Sequence, residues 1–138
     1  MLKMDAGALQ GFLLRDFGQV AEDFVVERAD AAGVTLRLQV ADRHLRPGGT
    51  VSGPAMFGLA DVAMYLAILS RIGPMALTVT TNCAVDFMRK PQAGVDLLAH
   101  ARVLKLGRAL AVGDVLMFSE GKADPVARAS LTYAIPSK

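Results

Sequence analysis

Asp61 stands near the middle of the most apolar stretch of the chain, between Leu59-Ala60 and Val62-Ala63-Met64. An unpaired carboxylate taken out of water carries a heavy desolvation cost or takes up a proton. A helix that needed only to pack would carry alanine or leucine there. The charge points instead to chemistry. A carboxylate held in apolar surroundings can attack an electrophilic carbon or activate a water. The plainer alternative is structural: Asp61 caps a neighbouring loop, or pairs with Tyr65 one turn later or with an arginine.

A second feature lies just upstream. Gly49-Thr50-Val51-Ser52-Gly53 runs straight into a helical pattern. Unused N–H groups at a helix start, helped by the helix dipole, can polarise a carbonyl oxygen or stabilise an oxyanion. Glycine lets a ligand approach the backbone closely. The plainer alternative is an ordinary loop-to-helix turn. Gly53 and Asp61 are eight residues apart, about 12 Å along one helix. An attacking group and an oxyanion donor must both come within about 3 Å of one reacting centre, so a single helix cannot supply both. Two helices packed antiparallel can. The spacing therefore predicts a site shared across a two-fold dimer, with two equivalent sites.

These residues need a long helix to carry them and other elements to enclose it. Ser52 just before the helix and Pro54 in its first turn are start signals, and Gly73-Pro74 is a stop, so a helix is predicted over Pro54 to Ile72. It is apolar nearly all round, which calls for wrapping by other elements. Upstream, Leu9, Phe12, Leu13, Phe17 and Val20 recur at helical spacing and predict an amphipathic helix over 7–19. Phe24 to Asp30 reads as a short strand, followed by a turn at Asp30-Ala-Ala-Gly33. Val34, Leu36, Leu38 and Val40 alternate with polar residues as in a half-buried strand. Asp42 to Gly53 reads as a loop. Downstream, strands are predicted at 76–88, 95–106, 109–119 and 125–135, with breaks at Pro91 to Gly94, Gly107-Arg108 and Glu120 to Pro125. An α+β arrangement, a curved antiparallel sheet wrapped around one long helix, satisfies this order.

Composition narrows the function classes. The 138 residues are the length of one domain, spanning 1–138, and with 53% hydrophobic residues they hold ample material for a core. Fifteen basic against 13 acidic residues leave a net charge of +2, and the chain has no Trp. Neither a strong positive field nor a base-stacking surface is indicated, so nucleic acid is not the expected partner. The single Cys83 forms no intramolecular disulfide, which suits a reducing compartment. His44 and His100 make no metal-ligand cluster and read as structural or exposed. The apolar run from Pro54 to Ser70 falls short of the ~20 residues of a membrane span and contains Asp61. The N-terminus makes a poor secretory signal. The expectation is a soluble cytoplasmic protein.

The element order, Gly49-Thr50-Val51-Ser52-Gly53 and Leu59-Ala60-Asp61 together resemble the hotdog-fold acyl-CoA thioesterases, in particular their phenylacetyl-CoA-type (PaaI-like) group. The resemblance extends over nearly the whole chain, including Asp86-Phe87-Met88-Arg89-Lys90-Pro91 and Lys105-Leu106-Gly107-Arg108. It implies the hotdog fold and hydrolysis of acyl-CoA without metal or organic cofactor, CoA being part of the substrate. It also implies a homodimer with two shared sites, commonly paired into a homotetramer. In that family His-Gly-Gly precedes an acidic residue by a fixed spacing. Gly53 matches the glycine whose N–H polarises the thioester carbonyl. Asp61 matches the acidic residue that attacks it or activates water. Three positions depart from the pattern. The family histidine is Ser52 here, the second glycine is Pro54, and Arg46 stands near the place of a usual Asn or Gln. Pro54 removes one N–H from the helix start. Ser52 can cap the helix or hold a water but has no base to activate it.

Other residues carry weaker signals. Arg89, Lys90, Lys105 and Arg108 can meet CoA phosphates, or simply be solvated strand ends; position within the resemblance favours Arg89 and Arg108. Thr80 and Asn82, two apart on a predicted strand, share one face and can position water. Met56, Phe57, Met64 and Tyr65 suit a core or an acyl pocket. Cys83 reads as a small buried apolar residue. Two rival functions remain in view: a non-catalytic acyl-CoA or fatty-acyl binding protein, suggested by the lost histidine, and a hydratase on the same fold, which lacks an evident Asp/His pair.

Overall fold

A computed structural model describes residues 2–137. In chain order the elements are α1 (Ala6–Asp16), α2 (Gly18–Ala21), β1 (Phe24–Asp30), β2 (Gly33–Leu38), a short 3-10 turn (Asp42–His44), α3 (Gly53–Ile72), β3 (Val79–Phe87), β4 (Leu97–Leu106), β5 (Leu110–Ser119) and β6 (Pro125–Ala134). The six strands form one curved antiparallel sheet in the order β1-β2-β4-β5-β6-β3, which leaves β1 and β3 at its edges. This is the α+β hotdog arrangement that the sequence predicts.

The local signals around α3 act as expected. The Ser52 side chain accepts a hydrogen bond from the Ala55 N–H at 3.2 Å, and Gly73, with φ of 96°, ends the helix by donating its N–H to the Leu69 carbonyl. Leu59, Ala60, Ala63, Leu66, Ile68 and Leu69 are fully enclosed, and α3 packs on β2, β4 and β5. Each large apolar side chain so buried contributes about 1.5–3 kcal/mol. Small residues let the helix and sheet approach closely. At Gly113 a Cβ would meet the Met64 sulfur at 2.2 Å and the Arg102 carbonyl at 2.5 Å, so only glycine fits. The helix is 20 residues long and an 18-residue stretch of it has mean hydropathy 1.5, so by length and composition it can cross a membrane, contrary to the length expected from the apolar run. Its enclosure within the sheet is what makes it a core helix.

Elsewhere the structure refines the elements. The predicted helix over 7–19 breaks at Phe17, whose backbone leaves the helical region (φ −135°, ψ 43°) while its N–H still caps the Leu13 carbonyl. The break turns the Phe17 ring edge-on to Tyr65, with centroids 5.9 Å apart. The strand expected from 76 begins at Val79, because Thr78 N–H turns back to the Met75 carbonyl. Val40 falls beyond β2, where its N–H bonds to Asp96. Arg37 clamps the outer side of the sheet through Glu27, Glu120 and Asp96.

Candidate active site

The start of α3 presents an unusual set of donors. Pro54 has no N–H, Ala55 bonds to the Ser52 hydroxyl, and Met56 bonds to the Ser52 carbonyl at 3.1 Å. The Gly53 N–H meets no acceptor among the described residues. The preceding loop is held in place by Ser52 N–H to the His44 carbonyl at 2.8 Å and by a Leu45–Val51 bridge. Gly53 has an ordinary negative φ, and a Cβ there would rest at van der Waals distance, 3.5 Å, from the Phe87 ring. Packing within the chain leaves room for a Cβ at this position, while a helical backbone immediately before Pro54 favours glycine. Gly53 borders a cleft of about 380 Å³ together with Arg46, Met56, Phe87, Arg89 and Lys90. The Arg89 Nε donates to the Pro125 carbonyl at 3.0 Å, which anchors the side chain beside the cleft.

Asp61, one face of α3 further on, is half-buried and opens onto a different cleft of about 420 Å³ lined by Phe17, Tyr65, Leu77, Val79, Thr80 and Tyr133. The Thr80 hydroxyl donates to Asp61 Oδ1 at 2.6 Å. The Tyr133 hydroxyl lies 2.6 Å from the Asp61 main-chain carbonyl and also bonds to Oδ1. Burial, then the Asp61 charge and this hydrogen bond, push the Tyr133 hydroxyl far above its ordinary range, so it stays protonated and donates. Charge-assisted bonds of this kind are stronger than neutral ones.

The partners anticipated for a purely structural Asp61 are not the ones observed. Tyr65 bonds instead to the Ala76 carbonyl at 2.9 Å and packs at a tilt against Tyr133, with centroids 6.2 Å apart. No arginine bonds to Asp61 among the described residues. Tyr133, missed by sequence reasoning, reads in the chain as one more inward residue of a β-strand. The signal available was its hydroxyl, which needs a partner when buried.

The remaining candidates separate. Asp61, Tyr65 and Thr80 gather at one cleft; Gly53, Arg46 and Arg89 gather at another; Ser52 and Pro54 form the helix start beside it. Thr80 and Asn82 do not share a face. A β-bulge between them shifts the register, so Thr80 pairs with the inward Tyr133 and Asn82 with Thr132 on the outer side. Asn82 is thereby turned away from Asp61. Arg108 lies in a third cleft with Lys3 and Arg71, apart from Arg89. Cys83 is half-buried rather than buried; burial and then the nearby Asp61 charge push its thiol upward. His44 is buried and accepts from Ala41 N–H, while exposed His100 bonds to Thr35, so both histidines have structural partners. Among the described residues no His, Cys, Asp or Glu cluster could hold a metal ion.

Comparison with known proteins bears on this arrangement. Residues 48–126, which include the Gly53 loop, Asp61 and Thr80, match the thioesterase superfamily. A candidate esterase of Pseudomonas aeruginosa is 32% identical over 104 residues, 75% of each chain. A crystal structure of a candidate thioesterase from Silicibacter sp. TM1040 superimposes with a TM-score of 0.93 at 53% identity, covering 99% of this chain and 95% of that one. The phenylacetic acid degradation protein PaaI of Thermus thermophilus, solved as a point mutant, aligns with a TM-score of 0.73 at 30% identity over 88% of this chain and 100% of the other. With the family match spanning more than half of its length, the chain belongs to the thioesterase superfamily.

Proposed function

We propose that the protein is an acyl-CoA thioesterase that hydrolyses a small or medium acyl-CoA to the free acid and CoA at sites shared by two chains. The observation that carries this reading is the Asp61 carboxylate, held by the Thr80 and Tyr133 hydroxyls at the wall of a largely apolar cleft. The Gly53 N–H of one protomer polarises the thioester carbonyl, and Asp61 of its partner supplies the attack. In one version an Asp61 oxygen bonds to the carbonyl carbon and the CoA thiolate leaves. The resulting mixed anhydride is then hydrolysed. In the other version Asp61 takes a proton from water as that water attacks the carbonyl carbon, the C–S bond breaks, and the departing CoA sulfur takes up the proton. Single-turnover hydrolysis in ¹⁸O-water identifies an anhydride opened at the Asp61 carbon, since the label then enters the Asp61 carboxyl and the released acid carries none, whereas general-base attack sends the label into the acid.

Support for a second copy comes from the β3 edge. β3 pairs with β6 on one side, its other side meets no strand among the described residues, and Phe57, Leu77, Val79, Phe87 and Met88 expose large apolar surface around it. Such an edge invites pairing with another chain. Pairing of β3 strands would make a homodimer and bring the Gly53 cleft of one chain toward the Asp61 cleft of the other. Arg46, Arg89 and Lys90 then suit the CoA phosphates. Exposed Leu104, Leu110 and Leu116 offer a further surface for a homotetramer. No resident metal or organic cofactor enters the reaction, and a cytoplasmic location matches the single cysteine and the supply of acyl-CoA.

An acyl-CoA panel assayed for thiol release, with wild type beside Asp61→Asn, tests the reading. Hydrolysis by the wild type and its loss in a variant that keeps its oligomeric state are expected. Full activity in Asp61→Asn rejects the assignment. Tight acyl-CoA binding with no thiol release by the wild type favours the binding protein instead, a reading prompted by Ser52 standing where the family carries histidine.

A further inference from the structure

We propose that Tyr133 is a positioning residue for Asp61: its single hydroxyl proton, shared between the Asp61 main-chain carbonyl and Oδ1, fixes the side chain against its own backbone and so aims the second carboxylate oxygen into the cleft. The chemical use of this aim rests on the thioesterase reading; the geometry does not. Tyr133 is 72 residues away in the chain and 2% exposed, and its hydroxyl reaches both the Asp61 carbonyl and Oδ1. An aspartate on a helix otherwise samples several rotamers. Thr80 from β3 and Tyr133 from β6 converge on the same oxygen from different elements, which selects one of them. No donor among the described residues meets Oδ2. Oδ2 therefore keeps its lone pairs for an incoming carbon or a water proton.

The Tyr133 ring is itself held. Tyr65 packs against it at a tilt, with centroids 6.2 Å apart, and Tyr65 is fixed in turn by its bond to Ala76 and by the edge of Phe17 at 5.9 Å. The inward neighbours of Tyr133 on β6 are Leu131, Ala129 and Ala127, all apolar and buried. Phenylalanine would fill the same volume as Tyr133, so the hydroxyl is the feature that needs a reason. Its bonds to Asp61 supply that reason.

Tyr133→Phe tests the proposal. The expected result is a fall in kcat of about 10- to 100-fold with KM within about twofold, because the loss falls on the attacking group rather than on binding. Thr80→Val should lower kcat in the same way, and Thr80→Ser should restore it. The two losses should combine to less than their product, since both act through one oxygen. An unchanged kcat in Tyr133→Phe, or a raised KM with kcat intact, overturns the proposal. Crystal structures give a readout independent of activity. Asp61 should hold one carboxylate orientation in the wild type and a shifted or divided one in Tyr133→Phe. The same orientation in both, or a wild-type Tyr133 hydroxyl turned away from Asp61, also overturns it. A wild type that cleaves no thioester would sink the enzymatic reading and leave this comparison decisive for the positioning role.

Discussion

Gly53 and Asp61 lie on one helix, yet they open onto separate clefts, Gly53 beside Phe87 and Arg89 and Asp61 beside Thr80 and Tyr133. A reaction that needs both must draw them from two chains. Mixing two inactive variants, Asp61→Asn and Gly53→Pro, should therefore recover activity after subunit exchange. Random pairing makes half of the dimers mixed, and each mixed dimer has one intact site, so recovery to about one quarter of wild type is expected. No recovery, with exchange verified by mass spectrometry, would place the working site within a single chain.

Gly53→Pro on its own isolates the proposed carbonyl donor. The substitution removes one N–H at the first helical position, where proline is tolerated, and Ser52 already has the extended backbone (φ −75°, ψ 158°) that a following proline requires. Residue 53 is helical and precedes Pro54, a setting that disfavours a residue with a Cβ, so thermal stability should fall modestly while the oligomeric state persists. The kcat should fall about 100-fold, the usual effect of losing one oxyanion donor. A variant with wild-type kcat would remove Gly53 from the chemistry.

Ser52 should behave in the opposite way. Its hydroxyl is engaged with the Ala55 N–H as a helix cap. Ser52→Ala should lower stability by about 1 kcal/mol and leave kcat within a fewfold of wild type. Calorimetry with parallel assays checks this. A large loss of kcat at unchanged stability would give Ser52 the functional part that the family histidine holds.

Alkaline unfolding reports on Tyr133 through linkage. Burial, then the Asp61 charge and hydrogen bond, raise the folded-state pKa above the ordinary 10.0. Above that pH the unfolded chain loses the tyrosine proton while the folded chain keeps it, so the unfolded state binds fewer protons and stability falls as pH rises. The slope attributable to one such group approaches about 1.4 kcal/mol per pH unit. Denaturant titrations between pH 9 and 11 should show a steeper decline for the wild type than for Tyr133→Phe. Equal slopes would mean that the hydroxyl ionises freely in the folded protein.

Much of this was legible in the chain because it is local. Ser52, Pro54 and Gly73 bound α3 through hydrogen bonds within a few residues of themselves, and alternation along β4 to β6 follows from the two-residue period of a strand. Asp61 announced itself for the same reason: a charge among apolar neighbours is anomalous whatever surrounds it. The eight-residue spacing of Gly53 and Asp61 is likewise a property of one helix.

What surrounds Asp61 was decided elsewhere. Its partners sit 19 and 72 residues away, and sheet pairing, not local preference, brings them together. The bulge beside Thr80 carries no glycine or proline to mark it, and it alone turns Thr80 inward and Asn82 outward. Arg89 and Arg108 look equivalent in the chain, but the hairpin between β4 and β5 carries Arg108 into another cleft. Helix caps and strand periods depend on the nearest neighbours along the backbone, so the sequence by itself determined the elements and the residue that does not belong among them. Register, bulges and the meeting of distant hydroxyls depend on how the whole chain closes around α3, so only the tertiary structure could decide them.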